Sequence, residues 1–436
     1  MPKSEMPKGE KTLEHGMEGE NPRGHAVLYI TSVAFTHRAR ELSERVRQVW
    51  EEAAEKRREI IVWRESKTLT ESIFSASDAL LFFCASGIAV RMAAPFLKDK
   101  TSDPAILVIG EDGRFVISLV SGHLGGANRY ALWTAELLHA QPVITTATDG
   151  RNMAAPDVWA QKYRLSISDM KLAKWMTSYL LNRSDASLKE TEEAESPLKK
   201  TEASESALQP NKKYYICIAD KEQQEKIRED AGPGEEILFM EPKKYVVGIG
   251  CRRETEYEKM EAFIRDFLAE NGIDPSLVSR ICSIDLKADE DCIKRTARAL
   301  KAEFTVFSKE NLLSAIGDFS SSDFVQRAVG VDNVCERSAL LGALEDAREA
   351  AKQPCGWCDD GGGKEDPAVV RLVVKKTVRQ GMTAAAAVRS VCRKPVLLAI
   401  EDWEQQTARG NAEAVRRSAL KNEKVPAPTS VSAPAK

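Results

Sequence analysis

The residues of this chain best suited to chemistry are a few glycine-rich turns and one histidine among them. SGHLGGAN (121–128) lies between an apolar run, RFVISLV (114–120), and a helix-like run, RYALWTAELLHA (129–140). Glycines at a strand-to-helix junction let the backbone turn tightly and aim N–H groups at an anion on the helix N-terminus. The GK[ST] ending of a Walker-type phosphate loop is missing, however, and HLGG breaks the GxGxxG spacing of dinucleotide folds. A bound nucleotide is therefore not expected. His123 is the one histidine among the glycine loops, and imidazole is the side chain best suited to move a proton near neutral pH. A structural hydrogen bond is the rival reading for a lone histidine, and both stay open at this point.

Other junctions carry polar groups of similar kind. CASGIAVR (84–91) supplies Gly87 and Arg91, PFLKDKTSDPAILV adds Lys98, Lys100 and Asp103, and ITTATDG (144–150) adds Thr145, Thr146, Thr148 and Asp149. Such residues cap helix ends. They would equally line one crevice for a polar or polyanionic ligand. In the second half GIGCRRE (248–254) brings Gly250, Cys251 and Arg252, and SIDLKADE (283–290) brings Asp285, Lys287, Asp289 and Glu290. FVQRAVGVDNVCERSALL (324–341) brings Arg327, Gly330, Cys335 and Glu336. Arginine and lysine at strand ends bind carboxylates, arginine with a two-pronged fork; a solvated charge cluster is the rival. Cys251 and Cys335 follow glycine turns, where small buried thiols are common. CGWCDDGGG (355–363) holds the one CxxC, but no histidine follows it and no second pair accompanies it, so no protein-bound metal is expected.

These loops need elements to position them. AVLYITSV, EIIVW, ALLFFC, AILVIG and PVITTATDG read as strands alternating with amphipathic helices. The EDG turn before RFVISLV makes an antiparallel hairpin. The expected fold is α/β: two layered domains with mainly parallel sheets, 25–155 and 244–403, joined by a smaller middle region, 156–243. Within the middle region, 183–212 is rich in Glu, Lys, Ser and Thr and has too little to bury, so it is expected to be a disordered insertion, as are the tails 1–24 and 404–436. VVRLVVKKTVRQGMTAAAAV reads as a strand pair and PVLLAIED as a last strand.

Composition narrows the class. With 436 residues and a net charge of -3, the chain has room for several cores and no basic excess to steer it to nucleic acid. No stretch reaches the roughly 18–20 apolar residues of a membrane span, and the N-terminal segment lacks the apolar core of a secretory signal. Nine cysteines with irregular spacing fit reduced thiols in a cytoplasm better than a disulfide framework.

Taken together, GIAVRMAAPFLKDKTSDPA, FVISLVSGHLGGAN, PVITTATD, VVGIGCRRE, SIDLKADE and FVQRAVGVDNVCERSALL resemble the cobalt-precorrin 5A hydrolases of the anaerobic cobalamin (vitamin B12) pathway. The likeness covers most of 26–182 and 244–344. It departs at the 183–212 insertion, at the CGWCDDGGGKED loop, and at VVKKTVRQGMTAAAA, which is only loosely like the family's closing strand pair. The resemblance implies a hydrolase acting on a cobalt-containing corrinoid. Water opens a δ-lactone formed from a ring acetate, acetaldehyde leaves, and cobalt-precorrin 5B remains. Cobalt arrives inside the substrate, so no cofactor of the protein's own is expected.

On that reading His123 is the expected general acid or base and Asp149 its rival, with N–H groups of Gly125 and Gly126 facing the developing oxyanion. Contacts to the ring carboxylates are expected from Gly87, Arg91, Lys100, Ser121, Gly122, Asn128, Thr145, Thr146, Thr148, Gly250, Cys251, Arg252, Asp285, Lys287, Arg327 and Gly330. The expected partners are the small-molecule corrinoid, transient contacts with other cobalamin-pathway enzymes and a second copy in a homodimer; no nucleic acid and no membrane. A non-catalytic corrinoid carrier is the alternative, and a nucleotide- or flavin-binding module a weaker third.

Overall fold

Two short runs, ALLFF and AILVI, are apolar at every position, which suits strands covered on both faces rather than on one. In a computed structural model of the protein both are fully buried interior strands of a large sheet. The structure describes residues 23–99, 102–123, 125–145, 155–189, 212–352, 370–391, 395–400 and 402. These fall into two compact units: one holds the described residues of 1–144 and 243–392, the other those of 145–242 and the C-terminal segment from 393.

The first part of the large unit runs β1 (His25–Ala34), α1 (His37–Arg57), β2 (Glu59–Ser66), α2 (Glu71–Ala76), β3 (Ala79–Phe83), α3 (Ser86–Ala93), β4 (Ala105–Ile109), β5 (Phe115–Val120), α4 (Ala127–Leu138) and β6 (Gln141–Val143). Helix α1 starts where the Thr36 side chain accepts the N–H of Ala39, and it buries Leu42, Val46, Trp50 and Ala54 along one face. The Trp50 indole donates to Thr134 of α4 at 3.1 Å, which fixes both helices on one side of the sheet.

The smaller unit runs α5 (Pro156–Lys162), β7 (Leu165–Ile167), α6 (Met170–Lys189), β8 (Lys213–Ile218), α7 (Lys221–Asp230) and β9 (Glu235–Pro242). Trp159, Met176, Leu180, Ile216, Leu238 and Met240 make its core. Of the insertion expected at 183–212, residues 190–211 lie outside the described residues, as do the CGWCDDGGGKED loop and the tails 1–22 and 403–436.

The large unit resumes with β10 (Tyr245–Gly250), α8 (Tyr257–Glu270), β11 (Val278–Ile284), α9 (Asp291–Ala299), β12 (Glu303–Phe307), α10 (Lys309–Ser314), α11 (Asp323–Val329), α12 (Cys335–Lys352), β13 (Val370–Arg379) and β14 (Met382–Arg389). The β13–β14 hairpin turns through Gln380 and Gly381, both at positive φ, as a tight hairpin turn demands. Gly248 lets α12 approach β10 closely: a Cβ there would lie 1.9 Å from the Cys335 carbonyl oxygen. The last strand, β15 (Val396–Ala399), belongs by sequence order to this half, yet it pairs antiparallel with β8 in the smaller unit.

The α/β class and the mainly parallel strands agree with the sequence pattern. The two halves, however, share one 11-stranded sheet, ordered β13-β14-β10-β11-β12-β1-β3-β4-β5-β6 with β2 added on β1. Strand β1 meets β12 antiparallel through His25↔Val306 and Ala26↔Thr305. Helix α9 seals the join. Its Lys294 ammonium is 2.5 Å from the Asp78 carboxylate and donates to the Val27 carbonyl at 2.7 Å. Burial holds this lysine below its usual range, with Asp78 opposing that pull. Arg298 of the same helix donates to the carbonyls of Ser77 and Ser102. A join made by residues so far apart in the chain leaves no local pattern to read.

Strand direction decides which loops meet. Strands β3 and β4 run with β1, whereas β5, β6, β10, β11 and β12 run against it. The loops after β5, β10, β11 and β12 therefore leave the sheet at one end, and the loop after β3 leaves at the other.

Candidate functional site

The loop after β5 is built for closeness. Ser121 adopts φ 57, left-handed for a residue with a side chain, and Gly126 adopts φ 83 where it caps α4. A Cβ on Gly125 would fall 2.4 Å from the Ser121 Cβ, and one on Gly122 would fall 2.7 Å from the Asn128 Oδ1. At Gly125 the Ser121 Cβ and backbone leave room only for glycine, whereas at Gly122 the Asn128 amide would have to move. Asn128 is buried, and its Oδ1 accepts from the Ser118 hydroxyl at 2.6 Å.

The N–H groups of this helix start are spent within the loop. Gly126 donates to the His123 carbonyl at 3.0 Å, Ala127 to Ser121 at 3.1 Å and Asn128 to Gly122 at 3.0 Å. The loop's own carbonyls thus satisfy the orphan donors that an anion would need. This agrees with the missing phosphate-loop motif, and it takes Gly126 out of the expected oxyanion pair in this arrangement. What the loop leaves over is side-chain chemistry: His123 is half-buried, and the buried Ser121 hydroxyl has no hydrogen-bond partner among the described residues.

GIAVR does not join it. Gly87 starts α3 at the far end of β3, and adjacent β4 is five residues long, so roughly 15 Å of sheet separates that end from the 121–128 loop. Arg91 is exposed and its guanidinium donates to the Gly87 carbonyl at 3.1 Å, within its own helix. The single crevice expected from GIAVR beside SGHLGGAN is therefore corrected: opposite strand directions part them. Thr145 is exposed and opens the smaller unit. Lys100, Thr146, Thr148 and Asp149 lie outside the described residues.

The second half carries its residues to the same end of the sheet, though β10 stands six strand positions from β5, roughly 29 Å across it. Gly250 and Cys251 end β10 beside Thr383, whose hydroxyl donates to the Gly250 carbonyl at 3.3 Å. Arg252 is exposed and lies over the hairpin turn, where a Cβ on Gly381 would be 2.9 Å from its Nε. Asp285 is exposed and accepts the N–H of Leu286 at 2.7 Å. The Lys287 ammonium pairs with buried Glu290 at 2.8 Å.

Cys251 Sγ stands 4.0 Å from Cys292 Sγ, and Cys292 Sγ stands 4.0 Å from Glu290 Oε1. The hydrogen bond from Cys292 holds the Cys251 thiol below its usual range against the opposing effect of burial, and the Lys287 charge adds to it. Cys292 is pushed well above its own range by the same pairing and by burial. Cys292 escaped notice in the sequence because it opens a helix without a glycine turn. Only the adjacency of β10 and β11 brings it to Cys251.

Cys335, by contrast, is buried and pushed up to about 11 by burial, which suits a packing thiol rather than a nucleophile. Buried Glu336 is also structural: it accepts the N–H and hydroxyl of Ser320 and the N–H of Lys376. Arg327 is exposed, its Nε donating to the Asp323 carbonyl at 3.2 Å, and Gly330 at φ 76 ends α11 beneath the Lys309 side chain. Leu286, Ile316 and Phe324, in the segments that follow β11 and β12, are exposed by 53%, 58% and 72%. Exposed apolar side chains and exposed basic ones thus occur on the same set of loops.

Residues 68–149 match the family described as Cobalamin synthesis G N-terminal, and residues 245–387 match Cobalamin synthesis G C-terminus. A cobalt-precorrin-5A hydrolase of Salmonella typhimurium is 35% identical over 275 residues, which is 62% of this chain and 77% of that protein. The enzyme of the same name from Priestia megaterium is 30% identical over 303 residues, 66% of this chain and 79% of that protein. A crystal structure of a cobalamin biosynthesis protein G homolog from Sulfolobus solfataricus aligns with 84% of this chain and 97% of that one, at 18% identity and a TM-score of 0.33.

Proposed function

The chain belongs to the cobalamin synthesis G family, and from that premise we propose that it is a cobalt-precorrin-5A hydrolase. The observation that carries this is the 35% identity to a relative of that name, along 77% of the relative's length. The reaction is addition of water to a δ-lactone carbonyl. The lactone C–O bond breaks, giving the ring acetate as a carboxylate and a hydroxyl on the methylated bridging carbon. That hydroxyl then loses its proton as the carbon–carbon bond to the macrocycle breaks, the ring takes the electron pair and a proton, and the carbon leaves as acetaldehyde.

Two demands follow for the protein. A base must take the proton of the attacking water, and His123 is our choice, held half-buried in a loop whose backbone is otherwise occupied. A surface must also grip the macrocycle. Arg252 and Arg327, both exposed, offer charge for its acetate and propionate arms, while Leu286, Ile316 and Phe324 offer apolar area. The Ser121 hydroxyl is a further polar group beside the histidine. A cytoplasmic setting belongs to the same reading, supported by six described cysteines that are all free thiols.

The test is anaerobic incubation of the purified protein with cobalt-precorrin-5A, trapping acetaldehyde and weighing the corrinoid by mass spectrometry. Acetaldehyde in step with formation of cobalt-precorrin-5B is the expected result. Recovery of unaltered corrinoid bound to the protein would replace the enzyme with a carrier.

A further inference from the structure

Among the described residues one group of side chains has the composition and closeness of a metal centre: Cys251, Glu290 and Cys292, with donor atoms all within 4.8 Å of one another. We propose that these three residues bind a thiophilic divalent cation, zinc being the type, in a site separate from the cobalt that travels in the substrate. The proposal revises the sequence expectation of no protein-bound metal. It stands independently of the hydrolase reading.

The distances suit such an ion. Tetrahedral zinc with bonds of about 2.3 Å to sulfur and about 2.0 Å to oxygen places two sulfurs about 3.8 Å apart, and a sulfur and an oxygen about 3.5 Å apart. The sulfurs here are 4.0 Å apart, and Cys292 Sγ to Glu290 Oε1 is 4.0 Å. A contraction of a few tenths of an ångström brings these two pairs to coordination distance, and Cys251 and Glu290, within 4.8 Å of one another, close by about an ångström more at most. The ligands come from rigid places: the end of β10 supplies Cys251, and the start of α9 supplies Glu290 and Cys292.

The surroundings divide the work of Glu290. Its Oε1 faces the thiols while its Oε2 is held by the Lys287 ammonium at 2.8 Å, so one oxygen is presented inward and the other is fixed from behind. Outer partners of this kind orient metal ligands. Two thiolates, a carboxylate and one ammonium sum to two negative charges, which a divalent cation neutralises. Cys292 and Glu290 are buried and Cys251 only partly so, which leaves the fourth position on the open side of the cluster. Three protein ligands with one open position is the arrangement of sites that keep water or another small ligand on the metal.

Binding is tested on chelator-stripped, reduced, full-length protein by anaerobic titration with Co²⁺ alone, read as thiolate-to-cobalt charge-transfer absorption, followed by displacement with Zn²⁺. One equivalent is expected in the native chain and in a Cys355→Ser/Cys358→Ser variant, whose CxxC thiols are gone. Cys251→Ser should abolish the band, and Glu290→Gln should weaken uptake at least tenfold with far-ultraviolet circular dichroism unchanged. Lys287→Ala should weaken it by about 10–100-fold, as loss of an outer partner does. The proposal is overturned by absence of uptake in native protein, by a band that persists in Cys251→Ser, or by one that vanishes in the CxxC variant. No corrinoid is present in any arm, so these outcomes are separate from those of the hydrolase assay.

Discussion

The loop after β5 and the cluster after β10 leave the same end of one sheet, yet they use their polar groups in opposite ways. The first closes on itself: the N–H groups of Gly126, Ala127 and Asn128 are taken by its own carbonyls, and Gly125 has no room for a side chain. The second keeps its chemistry in side chains, with two thiols, a carboxylate and an ammonium within reach of one another. A glycine-rich sequence marked the first and left the second half-hidden. Tightness of backbone and availability of chemistry are separate properties, and glycine reports only the former.

Both loops are held by one sheet, so breaking its join has the largest expected effect. Asp78→Ala leaves the buried Lys294 ammonium without its carboxylate and should cost about 3–5 kcal/mol in urea unfolding. Removing both charges, as Asp78→Ala with Lys294→Met, should recover most of that. A loss below about 1 kcal/mol for the single variant would mean the seam carries little of the fold.

The two loops should then answer differently to small changes. Gly125→Ala forces a methyl group against Ser121 and should destabilise by about 1–3 kcal/mol. Cys251→Ser, at the edge of the other cluster, should stay within about 0.5 kcal/mol of native stability. Equal losses would erase the distinction between a steric loop and a chemical one.

Thiol reactivity is the finest of these tests. In metal-free protein, iodoacetamide should modify Cys251 before Cys292 and Cys335, since Cys251 is part-exposed and held below the usual thiol range. Cys335, buried and raised to about 11, should react well after Cys251, as peptide mapping over time would reveal.

Much of this architecture was legible in the chain. ALLFF and AILVI were readable as strands, EDG as a hairpin turn, and VVRLVVKKTVRQGMTAAAAV as a strand pair. SGHLGGAN was recognisable as a constrained junction. What escaped was everything that depends on pairing between distant segments. The β1–β12 contact merges two apparent domains into one sheet, and β15 crosses to β8. The reversal of β5 against β4 sets GIAVR and SGHLGGAN at opposite ends. Strand direction is a property of the assembled sheet, so residue type alone could gather polar junctions but not sort them. The same blindness concealed Cys292, whose meaning comes from standing across from Cys251.

In the proposed reaction His123 of the closed loop moves the proton, and exposed Arg252 and Arg327 hold the substrate's carboxylates. Single-turnover release of acetaldehyde from cobalt-precorrin-5A by native protein and His123→Ala, side by side, tests it most directly. The account predicts about 10²–10⁴-fold slower release in the variant, with corrinoid binding and far-ultraviolet circular dichroism unchanged. Release at a near-native rate in His123→Ala would contradict it and leave the histidine a structural part of a tight turn.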